Sequence, residues 1–165
     1  MAFKEITAKE LEENPFRMIA DEWMLVTAGN EAKFNTMTAS WGFLGEMWNK
    51  DVAVTVVRPQ RYTYEFIEKE ELFTLSFYGD RKDIHKTCGT KSGRDVDKVA
   101  EIGLTPVFSD GTVFFEEARI VLVCKKIFAQ DIKEESFIDK DNLKWYPEKD
   151  FHRAYFGEIL KVYVK

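Results

Sequence analysis

The stretch FNTMTASWG, Phe34 to Gly42, has the alternation of a β-strand, yet it carries four small polar side chains and ends beside a tryptophan. Because side chains alternate between the two faces of a strand, the hydroxyls of Thr36, Thr38 and Ser40 share one face and Trp41 lies on the other. Two explanations follow. The hydroxyl row belongs to a half-exposed strand of β-favoured threonines, or it faces a flat, polar ligand.

The segments on either side of this stretch predict a mainly β protein with flanking α-helices. Apolar alternation and β-branched runs predict strands over residues 22–29, 33–43, 51–58, 72–78, 116–132 and 153–164. Helical spacing predicts helices over 61–70, 81–88 and 95–103, with a capped turn over 7–14. Because strands and helices mostly do not alternate, we expect a closed or split antiparallel barrel with a few helices outside it.

Length and composition are those of an ordinary globular protein. The chain has 165 residues, of which 45% are hydrophobic and 32% are charged. It contains no repeat and no low-complexity linker, so we expect one domain over residues 1–165. A net charge of −5 argues against nucleic acid or an anionic membrane as a partner. No apolar run approaches the roughly 20 residues of a membrane span.

Several common chemistries lack their sequence signatures. The motifs GxGxxG, GxxxxGK[ST], GxSxG and HExxH are missing, which argues against dinucleotide-binding Rossmann domains, nucleotide triphosphatases, triad hydrolases and zinc proteases. Cys88, Cys124 and the two histidines do not have the spacing of a metal site, so we expect no metal. The first sixteen residues are charged where a signal peptide would be apolar, and we expect a reduced, cytoplasmic protein.

The segment VVRPQRYT, residues 56–63, has the features of an anion site. A buried strand is expected to end at Arg58, and Pro59 is expected to start a helix whose first turn holds Arg61. The free N–H groups and positive dipole end of a helix attract anions, and an arginine at that end is disfavoured unless an anion compensates it. The alternative is a surface on which the arginines pair with Glu65 or Glu68.

The segment CGTKSGRDVDK, residues 88–98, combines two glycines with the cations Lys91 and Arg94, and with Ser92 before a helix that Asp95 is positioned to cap. An acidic protein that gathers cations near helix starts is expected to bind phosphate there, the alternative being a solvated, mobile loop. Cys88 in this segment is either redox-active or a structural thiol.

The last segment that stands out is DFHRAYFGEI, residues 150–159, in which His152 immediately precedes the final strand. A ring nitrogen there could meet a ligand edge or take part in proton transfer. A lone histidine at the entrance of a strand is also a common structural feature, and the residues alone leave both roles open.

Together these segments resemble the flavin reductase-like, FMN-binding split-barrel family, and specifically its flavoredoxin-like branch. The resemblance runs in order through NTMTASWG, MWNKDVAVTVVRPQRYTYEFIE, CGTKSGRDVDK, GLTP and HRAYFGEI, and so covers most of the chain from about Asn35 to Ile159. It implies a homodimer of six-stranded antiparallel split β-barrels with one FMN in each subunit. It also implies that the Thr-rich stretch runs beside the flavin.

The resemblance implies a role for each candidate residue. The ring system would lie along the strand segment, and His152 would lie near its exposed side. The ribityl phosphate would be held by residues after the buried strand, and the glycine-containing loop would close over it. The implied cofactor-binding residues are Thr38, Ala39, Ser40 and Trp41 for the ring, Arg58, Gln60, Arg61, Tyr62 and Thr63 for the phosphate, and Lys91 and Ser92 in the loop.

The function implied is that of an oxidoreductase, an NAD(P)H-dependent flavin reductase in which a nicotinamide passes hydride to flavin N5. Two alternatives stand beside it. One is a flavoredoxin-like electron carrier with tightly bound FMN and a protein redox partner, and the other is a non-catalytic FMN-binding module. The choice between NADH and NADPH, the electron acceptor, and whether FMN acts as cofactor or substrate are left open.

Overall fold

The computed structural model describes residues 1–165, which form ten strands and four α-helices. The strands are β1 Lys4–Ile6, β2 Met24–Gly29, β3 Phe34–Ala39, β4 Gly42–Met47, β5 Lys50–Val57, β6 Leu72–Phe77, β7 Pro106–Ser109, β8 Thr112–Phe115, β9 Ile120–Asp131 and β10 Arg153–Val164. The helices are α1 Pro15–Arg17, which continues as a π-helical turn over Met18–Glu22, then α2 Tyr62–Lys69, α3 Lys82–Thr90 and α4 Lys98–Ile102. Short 3₁₀ helices lie at Ala8–Glu10, Glu134–Ser136 and Lys140–Trp145. No helix is long and apolar enough to cross a membrane.

Eight of the strands form one antiparallel sheet, two more than the six-stranded barrel expected. Its order is β3-β2-β6-β9-β10-β5-β4, and β1 pairs with β10 off this path. The two long strands β9 and β10 run side by side at its centre, where two register shifts accommodate the coiling of the sheet. The strands β7 and β8 form a separate hairpin. The mainly β, antiparallel class predicted from the sequence is confirmed.

The predicted single strand over 33–43 is wrong, because the chain breaks there into two strands. β3 ends at Ala39 and β4 begins at Gly42. The φ of Gly42 is +154°, a conformation that glycine adopts and other residues rarely do. β3 pairs only with β2, whereas β4 pairs only with β5, at the opposite end of the strand order. Ser40 and Trp41 therefore carry the chain across the gap between the two sheet edges, and the barrel is split at this point.

Two apolar clusters hold the structure together, one inside the barrel and one outside it. The inner cluster includes Met24, Phe73, Leu122 and Tyr155, each at most 1% exposed. The outer cluster joins the other face of β2, β8 and β9 to α3, and Cys88 belongs to it. β2 is buried along its whole length: β3 pairs with one of its edges, and α3 packs on its outer face through Leu25.

The helices near the sequence motifs form close to the predicted bounds, with different caps. α2 begins at Tyr62 rather than directly after Pro59, so Arg61 occupies the N-cap position without a side-chain cap bond. The expected cap Asp95 is wrong: Asp97 caps α4, accepting a bond from the N–H of Ala100 at 3.0 Å. The residues before α4 form turns, so Lys98 stands in the first turn of a short helix.

Several elements were not predicted from the sequence, among them β1, the 3₁₀ helix Lys140–Trp145 and the hairpin of β7 and β8. β1 is only three residues long, and the 3₁₀ helix Lys140–Trp145 lacks a clear period. The hairpin of β7 and β8 has a recognisable sequence signal, the pair Asp110-Gly111. These two residues form its turn, with φ of +56° and +77°. An Asp-Gly pair between apolar segments is typical of a two-residue hairpin.

Gly157 in β10 offers a test of the inner core. A Cβ built there would lie 2.6 Å from Cζ of Phe73 and 2.7 Å from Cβ of Cys124. The change Gly157→Ala should therefore lower the free energy of unfolding by about 1–3 kcal/mol, because the ring must move in a close-packed core. Urea titration followed by fluorescence measures this difference. The matched control is Gly45→Ala in β4, where an added Cβ has no atom within 4 Å. Its free energy of unfolding should stay within about 0.5 kcal/mol of the parent value. Equal effects of the two changes would contradict the explanation by packing.

Candidate functional site

A polar cleft lies where the start of α2 meets the loop after α3. Its wall combines β3, the residues around the start of α2 and the glycine-containing loop, and we call it the polar half of the site. The residues that line it are Asn35, Met37, Gln60, Arg61, Tyr62, Thr63, Gly89, Thr90, Lys91, Ser92, Gly93 and Lys98. Only two of the twelve are hydrophobic. The composition is that of a site for a charged, hydrogen-bonding group.

A second cleft adjoins the first and shares Met37 and Arg61 with it, and we call it the ring half. It lies along the break between β3 and β4 and reaches the entrance of β10. Its lining residues are Met37, Thr38, Ala39, Ser40, Trp41, Val56, Arg58, Arg61 and His152. The cofactor-binding residues that the resemblance implies, and His152, all line one of the two halves, whereas Arg94 lines neither; contact of these residues with a ligand stays a prediction.

The loop after α3 reaches the cleft because Gly93 allows a close approach to β3. A Cβ on Gly93 would lie 2.0 Å from Oδ1 of Asn35, whereas one on Gly89, in the last turn of α3, would make only ordinary contact with Thr38. Asn35 in turn donates to the hydroxyl of Thr63 at 2.8 Å. The loop, β3 and the first turn of α2 are therefore packed as one polar assembly.

The hydroxyl row on β3 is not a continuous ligand surface. The hydroxyl of Thr36 is fully buried and lies 2.8 Å from that of Thr27 on β2. The hydroxyl of Thr38 lies 3.1 Å from Nδ1 of His85. Only Thr38 and Ser40 of this row border the ring half, whereas Asn35 lines the polar half from the other face of the strand.

Three of the basic residues around the site have carboxylate partners. Arg58 pairs with Asp150 at 2.7 Å, Arg94 pairs with Glu65 at 2.9 Å, and Lys91 pairs with Glu101. The alternative of Arg58 or Arg61 pairing with Glu65 or Glu68 does not occur, because Arg94 takes the first glutamate and Arg153 takes the second. Arg58 lines the ring half, and its predicted role in holding the phosphate stays a prediction.

Arg61 and Lys98 differ from these residues, because neither has a carboxylate partner. The Arg61 guanidinium donates to the carbonyl of Cys88 at 3.1 Å, and burial lowers its pKa. The ammonium of Lys98, only 4% exposed, donates to the carbonyls of Thr36 at 2.5 Å and Cys88 at 3.4 Å. Burial lowers the pKa of Lys98 to about 8. Lys98 was not predicted as a site residue, because its burial is not visible in the sequence.

His152 is held in a fixed orientation at the edge of the ring half. Its Nδ1 lies 2.7 Å from the hydroxyl of Tyr146, and its ring lies 5.2 Å from that of Trp41. Burial, with Arg58 nearby, lowers the pKa of His152 to about 4. The imidazole is therefore neutral near pH 7, and only its Nε2 is left for a ligand.

Cys88 has the environment of a structural thiol. It is fully buried in the outer cluster, and burial raises its pKa to about 11. A reactive cysteine needs an exposed thiolate. The contribution of Cys88 to the site is its carbonyl oxygen, on which Arg61 and Lys98 converge.

A wider opening of about 720 Å³ joins the ring half, and we call it the vestibule. It shares Thr38, Ala39, Ser40 and Arg61 with the ring half and adds residues from α3 and from the turn before β2. Its further lining residues are Trp23, Lys82, His85, Lys86, Gly89 and Thr90. The ammonium of Lys82 lies 3.9 Å from the ring centroid of Trp23. Pockets of this size are large enough for a second small molecule.

Comparison with known families decides the classification. The family model described as flavin reductase like domain matches residues 16–165, which is nearly the whole chain. The chain belongs to the flavin reductase-like family. A search of curated proteins found no match.

Solved structures agree with this classification at the level of the fold. The FMN-binding domain of a flavin reductases-like enzyme from Shewanella baltica is similar with a TM-score of 0.69 and 18% identity, over 99% of this chain and 77% of that one. Flavoredoxin from Desulfovibrio vulgaris gives 0.66 and 23% identity, over 96% and 77%. A Shewanella frigidimarina protein described as having a split barrel domain gives 0.67 and 19%, over 95% and 76%. The split-barrel fold class is thereby confirmed.

The buried histidines of this family member predict a dependence of stability on pH. The pKa of His85 and of His152 is about 4 in the folded protein, against 6.5 for an ordinary histidine. Between these values the unfolded chain binds more protons, so the free energy of unfolding should fall as pH falls from about 6.5 to about 4. Urea midpoints at pH 7 and pH 5 measure the effect. Between pH 7 and pH 5 the free energy of unfolding should fall less in the His152→Gln variant than in the parent. An equal fall in both proteins would contradict the lowered pKa of His152.

Proposed function

We propose that the protein is an FMN-binding oxidoreductase that acts as a single domain over residues 1–165. The observation that carries this proposal is the pair of joined clefts, one polar and cationic and the other bordered by Trp41 and His152. FMN has the same two-part chemistry, with a phosphate at one end and a flat ring at the other. Membership of the flavin reductase-like family supports the choice of this cofactor.

The residues present fit the phosphate end of FMN in the polar half. Arg61, Tyr62 and Thr63 stand at the start of α2, where backbone N–H groups and the helix dipole favour an anion. Gln60 lines the same wall and donates to Asp150 at 2.6 Å, and Lys91 and Ser92 approach from the loop. We propose that these residues hold the phosphate.

The ring half fits the flavin ring. The backbone of Thr38, Ala39 and Ser40 would border its edge at the split in the barrel, and Trp41 would cover one side. Arg61, which lines both halves, would hold a fixed positive charge near the junction of ring and chain. Arg58 would brace the far wall, because it bonds Asp150 and the carbonyl of Trp145 at 3.0 Å.

The chain's own residues bind, orient and shield, and no side-chain nucleophile is required. When bound, FMN supplies the redox centre, which accepts electrons as a hydride from a reduced nicotinamide. Neutral His152 would present Nε2 at the edge of the ring, as an orienting hydrogen-bond partner rather than a charged acid. Trp41 and its neighbour Trp145, 5.7 Å away, would exclude water from that side.

The vestibule supports access of an electron donor to the ring half. Its mouth carries the exposed cations Lys82 and Lys86, which suit the pyrophosphate of NADH or NADPH. The same cations favour the second candidate function, an electron carrier of the flavoredoxin-like branch, because they also suit an acidic protein redox partner. Two buried free thiols are consistent with the proposed cytoplasmic location.

We also propose a homodimer that forms through an exposed apolar face. Phe43, Met47 and Trp48, at the edge strand β4 and its turn, are 57%, 42% and 53% exposed. Phe128 and Phe156 extend this face, with ring centroids 5.2 Å apart. A contiguous aromatic surface beside an unpaired strand edge is typical of a protein–protein interface, and a second copy would bury it.

The redox proposal predicts a yellow complex that a nicotinamide can bleach. FMN added to the purified protein should bind stoichiometrically, with a perturbed visible spectrum. Anaerobic NADH or NADPH should then reduce the bound flavin faster than it reduces free FMN at the same concentration, because the donor is positioned at the ring. Stopped-flow absorbance measures both rates. Bleaching by a reduced protein donor alone would favour the electron carrier, and failure to bind FMN would overturn the cofactor proposal.

The dimer proposal predicts that a charge on the apolar face will separate the subunits. Trp48→Glu should shift the mass measured by light scattering after gel filtration from two chains to one, because an unpaired carboxylate would have to be buried. The matched control is Ile138→Glu, since Ile138 is 99% exposed at a distant site. A parent protein that is monomeric at micromolar concentration, or a Trp48→Glu variant that remains dimeric, would contradict the proposed interface.

A further inference from the structure

Lys98 is the most unusual charged group in the structure. It is the only lysine in the buried class, and its ammonium carries three N–H donors but has only two protein acceptors. Both acceptors are neutral carbonyl oxygens, one on β3 and one at the end of α3. A buried cation without a counter-ion is costly. Lys98 also lines the polar half, where one of its three donors has no protein acceptor.

Arg61 has a similar environment. Its guanidinium meets the same carbonyl oxygen of Cys88, and no carboxylate lies within ion-pair distance of it or of Lys98. The exposed cations around the cleft, Lys91 and Arg94, are neutralised by Glu101 and Glu65. Two desolvated positive charges therefore converge on one point of the polar half, while the charges at its rim are already compensated.

We infer that Lys98 is a further phosphate-binding residue, and that Lys98 and Arg61 together neutralise the phosphate of the bound flavin nucleotide. This inference rests on the proposed function. The ion-paired Arg58, Lys91 and Arg94 then shape the rim and wall of the site and contribute less to phosphate affinity. A phosphate dianion matches the two unpaired charges and supplies the acceptor that the third N–H of Lys98 lacks.

The protonation of Lys98 follows from its surroundings. The titratable and charged groups that face it are the Cys88 thiol from α3, with a pKa of about 11, and the Arg61 guanidinium, which stays charged. β3 contributes only neutral groups, the carbonyl of Thr36 and the side chain of Asn35. Free Lys98, with a pKa of about 8, loses its proton as pH rises above that value, whereas a bound dianion retains it. Phosphate binding is therefore linked to proton uptake at alkaline pH.

The test compares FMN with riboflavin, which has the same ring and no phosphate. Dissociation constants for both are measured by flavin fluorescence in the parent and in Lys98→Met, which keeps the length of the side chain. FMN affinity should fall at least about tenfold, the effect of losing one charge-assisted bond. Riboflavin affinity should change less than about twofold, because riboflavin has no phosphate for Lys98 to neutralise.

Lys126→Met is the matched control. The Lys126 ammonium also donates to two carbonyls, those of Ile67 at 2.5 Å and Glu68 at 3.1 Å, and burial lowers its pKa too, but it lines none of the clefts of the site. Its replacement should leave the ratio of FMN to riboflavin affinity unchanged. A ratio that falls equally in both variants, or in neither, would overturn the role of Lys98.

A second measurement needs no variant and so remains valid if Lys98→Met does not fold. In the parent, FMN affinity should decline between pH 7 and pH 9 while riboflavin affinity stays constant. A parallel response of the two flavins would overturn the inference. A parent that binds neither flavin would instead overturn the proposed function, so the two failures are distinguishable.

Discussion

The site depends on one topological constraint, the two-residue passage from β3 to β4. These strands lie at opposite ends of the sheet order, yet Ala39 and Gly42 are separated only by Ser40 and Trp41. The sheet therefore cannot close by backbone pairing at this point, and the chain itself spans the gap. An opening beside a rigid strand exposes backbone groups that a continuous ladder would use. The ring half lies along this opening, so the split in the barrel and the binding cleft have the same origin.

The distribution of charge separates the outside of the site from its interior. The protein is acidic overall, with a net charge of −5, and its carboxylates neutralise the cations at the rim. No carboxylate pairs with Arg61 or Lys98. These two side chains donate hydrogen bonds to backbone carbonyls instead. Two desolvated positive charges lower the stability of the folded protein. An anion that binds only the folded state offsets this loss of stability. Binding of an anion in the cleft should therefore increase the stability of the fold.

Much of this could be predicted from local pattern. The bounds 153–164 of β10 and the existence of α2 follow from period and propensity. The break at Ser40 was not predictable in this way, because alternation continues through it and only the choice of partner strands interrupts the ladder. Lys98 was missed for a related reason. A lysine in a polar segment is normally exposed, and its burial results from tertiary packing of the loop against β3.

The two arginines of VVRPQRYT illustrate how neighbouring residues with the same chemistry acquire different roles. Arg58 immediately follows β5 and reaches the segment before β10, where it pairs with Asp150 and lies 4.9 Å from the ring centroid of Tyr146. Tyr146 in turn orients His152, so Arg58 acts on the ring half through a chain of fixed contacts. Arg61, three residues later, occupies the N-cap position of α2 without a side-chain cap bond, and its guanidinium donates only to a carbonyl. Because Arg61 has no carboxylate partner, its charge is available to a ligand. The charge of Arg58 is already neutralised by Asp150.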